Sequence, residues 1–78
     1  MYILHNVLGE EIREARLKIG LSQEALAEKS GLHRTYISLL ERNKKSPTIE
    51  TLFRICKALG VSAAGLIRKV EAERNENR

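Results

Sequence analysis

Three residues in the stretch Gln23–Arg42, QEALAEKSGLHRTYISLLER, limit the fold more than any other feature of the chain. Apolar residues recur at three-to-four spacing on both sides of Gly31, which predicts two short helices flanking one glycine. Two such helices, joined by a turn of a few residues, have to cross steeply. The first then needs a small residue where the second passes over it, and Ala27 supplies it. The turn needs a residue free of Cβ clash, and Gly31 supplies that, with a positive φ expected. The second helix needs a β-branched side chain plugged into the crossing, and Ile37 supplies that. Leu32 plugs the turn itself.

The remaining segments read as helices around this pair. Residues 7–19 form the first, with Leu8, Ile12, Ala15 and Ile19 on one face and Arg16 and Leu17 adjoining it. Asn6 is its expected N-cap, Glu10 and Glu11 sit near the positive end of its dipole, and Gly20 stops it. Met1–His5 reads equally as a helix extension, an arm or a partner contact. Ser22 caps the second helix, which runs to about Lys29 and turns Leu26 and Ala27 inward. The third runs from about Arg34 to Arg42, burying Ile37 and Leu40, and Asn43–Ser46 is a polar loop. Pro47 and Thr48 open a fourth helix with a broad apolar face of Ile49, Leu52, Phe53, Ile55, Cys56 and Leu59, ended by Gly60. Ser62 caps a fifth, with Ala63, Leu66, Ile67 and Val70 apolar, which fades after about Glu73 into a tail at 74–78. No strand pattern, internal repeat or long linker is present, so residues 1–78 read as a single all-α domain of five short helices with a core at about 7–70.

A 78-residue chain buries only about 60–65% of its unfolded surface, so its stability needs support from disulfides, metal or oligomerisation. The single cysteine, Cys56, permits no internal disulfide and reads as a small buried hydrophobe. Cys56, His5 and His33 are too few and too scattered for a metal site, so no metal and no cofactor is expected. That leaves dimerisation. MYILHNVL is too short and lacks the basic start of a signal peptide, and no apolar run is long enough to span a membrane, which points to the cytoplasm. An enzyme is not expected: there is no Gly-rich phosphate loop and no nucleophile–base pairing, and Glu10, Glu11, Glu71 and Glu73 read as solvated helix carboxylates.

The net charge is +4, and its placement says more than its size. Residues 33–46 carry Arg34, Arg42, Lys44 and Lys45 against Glu41 alone, the footprint of a phosphate-facing surface. The spacing Ala27–Gly31–Ile37 matches the helix-turn-helix pattern; the alternative is an ordinary αα-hairpin with a glycine in its turn. In the first case the helix near 33–42 enters the major groove of double-stranded DNA. Arg34, Thr35 and Ser38 lie on its leading edge, where Arg can take guanine O6 and N7 together and Thr or Ser can reach base edges. The alternative for these three is a solvated helix face. The Tyr36 ring lies either along the sugar-phosphate wall, beside the bases, or against the domain surface. His33 reads as an N-cap or exposed surface, with a phosphate contact as the functional alternative. Arg42, Asn43, Lys44, Lys45 and Ser46 form a loop expected to contact phosphates, the alternative being a solubilising loop.

LSQEALAEKSGL, the YIS..ER segment, SPTIETL and CKALGVS together resemble the phage-repressor or Xre-type helix-turn-helix family, over about Ile12 to Ile67. Within it, HRTYIS.LER is similar to the controller proteins of restriction–modification systems, small dimeric transcription regulators. The resemblance implies a lambda-repressor-like five-helix fold with the helix-turn-helix at helices 2 and 3. It implies that Gln23 bonds a phosphate and braces the recognition helix, and that Arg16 and Glu41 form an internal ion pair holding that helix. It implies a homodimer through the last helix, with Leu66, Ile67 and Val70 at the contact and a near-palindromic operator. RNA polymerase is a further partner if the protein activates, and Glu24 and Glu28 are the candidate surface acids for it. The rival reading is an antitoxin-type module that binds a protein and regulates its own gene.

Overall fold

A computed structural model of the chain describes residues 7–76. Five α-helices follow one another: α1 Val7–Lys18, α2 Gln23–Ser30, α3 Arg34–Glu41, α4 Ile49–Leu59 and α5 Ala63–Glu76. Three of the five open at a capping side chain. The Ser22 hydroxyl accepts from the Ala25 N–H at 3.0 Å, and the Thr48 hydroxyl accepts from Thr51 at 3.1 Å, capping α2 and α4. Ser62 does the same for α5 through Gly65 N–H at 3.1 Å. The expected N-cap Asn6 and the segment Met1–His5 lie outside the described residues. The fifth helix runs three residues past the Glu73 limit read from the sequence. That reading looked for an apolar anchor, whereas a Glu/Arg run lacking Gly or Pro continues a helix on propensity alone.

The core takes one side chain or more from every helix. Ile12, Leu26, Ile37, Leu40 and Ile55 are the largest fully buried residues, and Leu52, Cys56, Leu59 and Leu66 complete the cluster. Ala27 and Ile37 lie at the crossing of α2 and α3, with Leu32 half-buried in the turn. Gly31 there has φ +73. Burying one such aliphatic side chain contributes about 1.5–3 kcal/mol.

Four apolar residues are placed differently from the sequence reading. Ile19 is 51% exposed because α1 ends at Lys18 and the chain turns away. Ile49 and Phe53 are 63% and 56% exposed on α4. The apolar arc of α4 is wider than the surface its neighbours cover, so Leu52, Ile55, Cys56 and Leu59 pack inward and the flank is left outside. Leu17, which was read as adjoining the inner face of α1, is also exposed.

Candidate nucleic-acid interface

Helix α3 has two unlike sides. Ile37 and Leu40 sit in the core, while Arg34 and Thr35 are exposed and Ser38 and Tyr36 are half-buried. Arg34, Ser38 and Arg42 follow one another at four-residue spacing and so form one strip along the helix. The strip is internally bonded: Arg42 Nε donates to Ser38 Oγ at 3.2 Å. Part of Tyr36 packs against the core. His33 occupies the N-cap position with φ −84 and ψ 145, but its imidazole makes no capping bond. It is exposed beside Arg34.

The buried side of α3 is held by a polar clasp. Arg16 of α1 reaches Glu41 with Nε to Oε2 at 2.7 Å and Nη2 to Oε1 at 2.9 Å, a two-pronged charge-assisted pair. Its remaining prong, Nη1, donates to the Leu21 carbonyl at 2.8 Å. Gln23, at the first position of α2, adds Nε2 to Glu41 Oε1 at 3.0 Å. One carboxylate thus ties α1, α2 and α3 together. The hydrogen bond to Glu41 raises the Arg16 pKa above its ordinary value, against the opposing effect of burial. Glu41, almost wholly covered, has its charge offset within the domain. Gln23 is half-buried, with its amide nitrogen donating to Glu41.

Lys44, Lys45 and Ser46 are exposed, and Arg42 is exposed at the C-cap position of α3. Asn43, grouped with them on sequence, also bonds inward. Its Oδ1 accepts the Gly9 N–H at 3.0 Å, and the residue is half-buried. It therefore ties α3 to α1. Gly9 escaped the sequence reading altogether. A Cβ there would come within 2.5 Å of the Leu40 carbonyl oxygen and 2.7 Å of that of Glu41, so only glycine lets α3 lie so close to α1.

On α5, Leu66 is 6% exposed and belongs to the core, Val70 is half-buried, and Ile67 is 44% exposed. The three residues grouped on sequence are thus split between inside and outside. Cys56 is buried, and burial pushes its thiol pKa up, away from reactivity. Among the described residues no three of His, Cys, Asp and Glu converge on a common point, and no helix is long and apolar enough to cross a membrane.

Two short helices joined through Gly31, the second exposed along a polar strip, flanked by a basic loop and anchored from behind, define a helix-turn-helix transcriptional regulator. The chain belongs to the helix-turn-helix family, whose model matches residues 12–66. It is 44% identical over 66 residues to control protein C.SmaI of Serratia marcescens, spanning 85% of this chain and 79% of that one. It is 42% identical over 62 residues to control protein C.BamHI of Bacillus amyloliquefaciens, spanning 78% and 76%. Its fold matches a point mutant of the restriction–modification controller protein C.Esp1396I, solved bound to its highest affinity operator site. That match has a TM-score of 0.82 and 38% identity over 95% of this chain and 97% of that one. The family read from the sequence motifs, with controller proteins as similar members, is borne out.

Proposed function

We propose that the chain is a homodimeric, sequence-specific DNA-binding regulator of the controller type, acting on an operator near its own gene in the cytoplasm. The observation that carries this is the exposed strip of α3, Arg34, Thr35, Ser38 and Arg42, continued by Lys44, Lys45 and Ser46. Arg34 at the first turn of the helix is suited to guanine, with Thr35 and Ser38 reading adjacent bases and Tyr36 flanking them. His33, Gln23, Arg42, Lys44, Lys45 and Ser46 grip phosphates. Support for an operator as the ligand comes from C.Esp1396I, which was solved on one. The role is binding rather than catalysis.

A dimer is supported by apolar side chains left outside the monomer: Ile67 on α5 and Ile49 and Phe53 on α4, with Val70 at the margin. Leu66, 6% exposed in the monomer, backs this patch from the core. Two copies would set their α3 helices about one DNA turn apart, ~34 Å, on a near-palindromic site. Glu24 and Glu28, both exposed on α2, are the surface offered to RNA polymerase if the regulator activates.

The test is selection of bound duplexes from a random pool, followed by salt titration of the selected site. Affinity should fall steeply with salt, as expected for several phosphate contacts. Arg34→Ala should relax the base preference at one position, and Lys45→Ala should weaken every sequence alike and lower the salt slope by about one. Failure to enrich any sequence over random duplex at physiological salt would overturn the proposal.

A further inference from the structure

Four helices of the domain end in the same way, and one of the four closes with a different residue. After α1, α2 and α4 the chain turns through Gly20, Gly31 and Gly60, each at φ +73. In each case the following residue's N–H reaches back five positions: Leu21 to the Arg16 carbonyl, Leu32 to Ala27, and Val61 to Cys56. This is the Schellman closure, for which glycine is the natural residue. Helix α3 makes the same closure, with Lys44 N–H to the Leu39 carbonyl at 2.8 Å and Asn43 N–H to Leu40 at 3.0 Å. The left-handed position is Asn43, at φ +62, the one non-glycine residue with positive φ among those described. The backbone task alone would be done as well by glycine. What asparagine adds is a side chain, and its Oδ1 is bonded to the Gly9 N–H.

That bond sits where leverage on reading is large. Arg16 and Gly9 lie seven residues apart on α1, about 10 Å along its axis. Through them α1 grips the end of α3 at two points, Glu41 and Asn43. One point of attachment leaves a pivot, and two fix an angle. Arg34 stands nine residues from Asn43, about 13 Å along the helix. A tilt of roughly 10° about the anchored end moves it by about 2 Å, far more than the few tenths of an ångström a hydrogen bond to a base edge tolerates.

We propose that Asn43 is a positioning residue for sequence reading: by bonding Gly9 N–H it fixes the angle of α3 on α1, and with it the placement of Arg34, Thr35 and Ser38 in the groove. It makes no phosphate contact. The inference rests on the DNA-reading function proposed above.

The experiment uses the full chain and duplexes selected from a random pool by the wild-type protein, each paired with a version substituted at one recognised base pair. The wild-type ratio of affinities is measured first. Asn43→Gly keeps the left-handed turn and removes the side chain, so it should still fold, melting somewhat lower because Gly9 N–H loses its acceptor. Its preference for the selected duplex should nevertheless drop on the order of tenfold, the size of one well-read base pair, with the salt slope unchanged. Hydrogen exchange at Gly9 N–H should accelerate. Asn43→Asp retains an acceptor oxygen and should restore both the preference and the Gly9 protection. An Asn43→Gly protein with full discrimination would overturn the inference while leaving the DNA-reading function standing. So would one whose salt slope fell by about one with discrimination intact, because Asn43 would then be a phosphate contact. A wild-type protein with no preference at all would overturn both.

Discussion

Replacing Arg16 with methionine tests the clasp behind α3 most directly. The guanidinium makes two bonds to Glu41 and one to the Leu21 carbonyl, and the side chains of the pair are 8% and 2% exposed. Arg16→Met preserves most of the volume but leaves the Glu41 carboxylate buried with Gln23 as its remaining donor. Breaking one side of such a pair costs about 3–5 kcal/mol. At roughly 0.05–0.15 kcal/mol per residue, a domain of this size has a total stability of about 4–12 kcal/mol. The variant should therefore lose on the order of half its stability. Each kcal/mol corresponds to about 4–8 °C in a domain this small, so the melting temperature should fall by roughly 20 °C. Urea unfolding followed by circular dichroism gives the difference in free energy. The paired variant Arg16→Met with Glu41→Leu removes the stranded charge and should recover to within about 1–2 kcal/mol of wild type, the remainder arising from the Leu21 carbonyl that has lost its donor. A loss under about 1 kcal/mol for Arg16→Met would place the pair among ordinary surface bridges and refute the reasoning. So would a paired variant less stable than either single one.

Two further outcomes follow from groups away from the reading face. Glu11 is almost wholly covered, and its pKa is raised by burial first, then by the hydrogen bond and charge of Glu73 and the charge of Glu14, with Lys69 acting the other way. A carboxyl whose folded pKa exceeds its unfolded one favours the fold at low pH and loses that contribution as pH rises from about 4.5 through the folded value. Glu11→Gln should therefore melt higher than wild type at pH 7.5, with the gap closing near pH 4; an unchanged gap across that range would show that the burial is not felt. Phe53→Ser, at a residue 56% exposed, should leave monomer stability within about 0.5 kcal/mol and yet weaken self-association at least tenfold in sedimentation equilibrium.

The helices were legible in the sequence because their ends are written in local chemistry. Ser22, Thr48 and Ser62 open helices, Gly31 and Gly60 close them, and each acts on residues no more than five positions away. The crossing was legible for the same reason: Ala27, Gly31 and Ile37 lie within one short stretch. Arg16 and Glu41, 25 residues apart, were paired only through resemblance to a family. The Gly9–Asn43 tie spans 34 residues and belongs to no local pattern, so on sequence alone Asn43 groups with the loop its neighbours occupy. The exposed Ile49 and Phe53 mark a different limit. Periodicity identifies an apolar face, but how much of it one chain covers depends on where the other helices lie.

The division of α3 into two sides bears on how such a protein could be re-targeted. Ile37, Leu40 and Glu41 hold the helix, whereas Arg34 and Thr35 are exposed and make no part of that hold. If α3 reads DNA as proposed, changes at these two positions alter what is presented to a base pair while leaving the core and the clasp intact, and exposed substitutions of this kind stay within about 0.5 kcal/mol. Ser38 is the exception, since it accepts from Arg42 and is tied to the end of the helix. A library randomised at Arg34 and Thr35, with Ser38 kept, would explore new operators at nearly constant stability, so the scaffold would tolerate wide variation in the address it recognises.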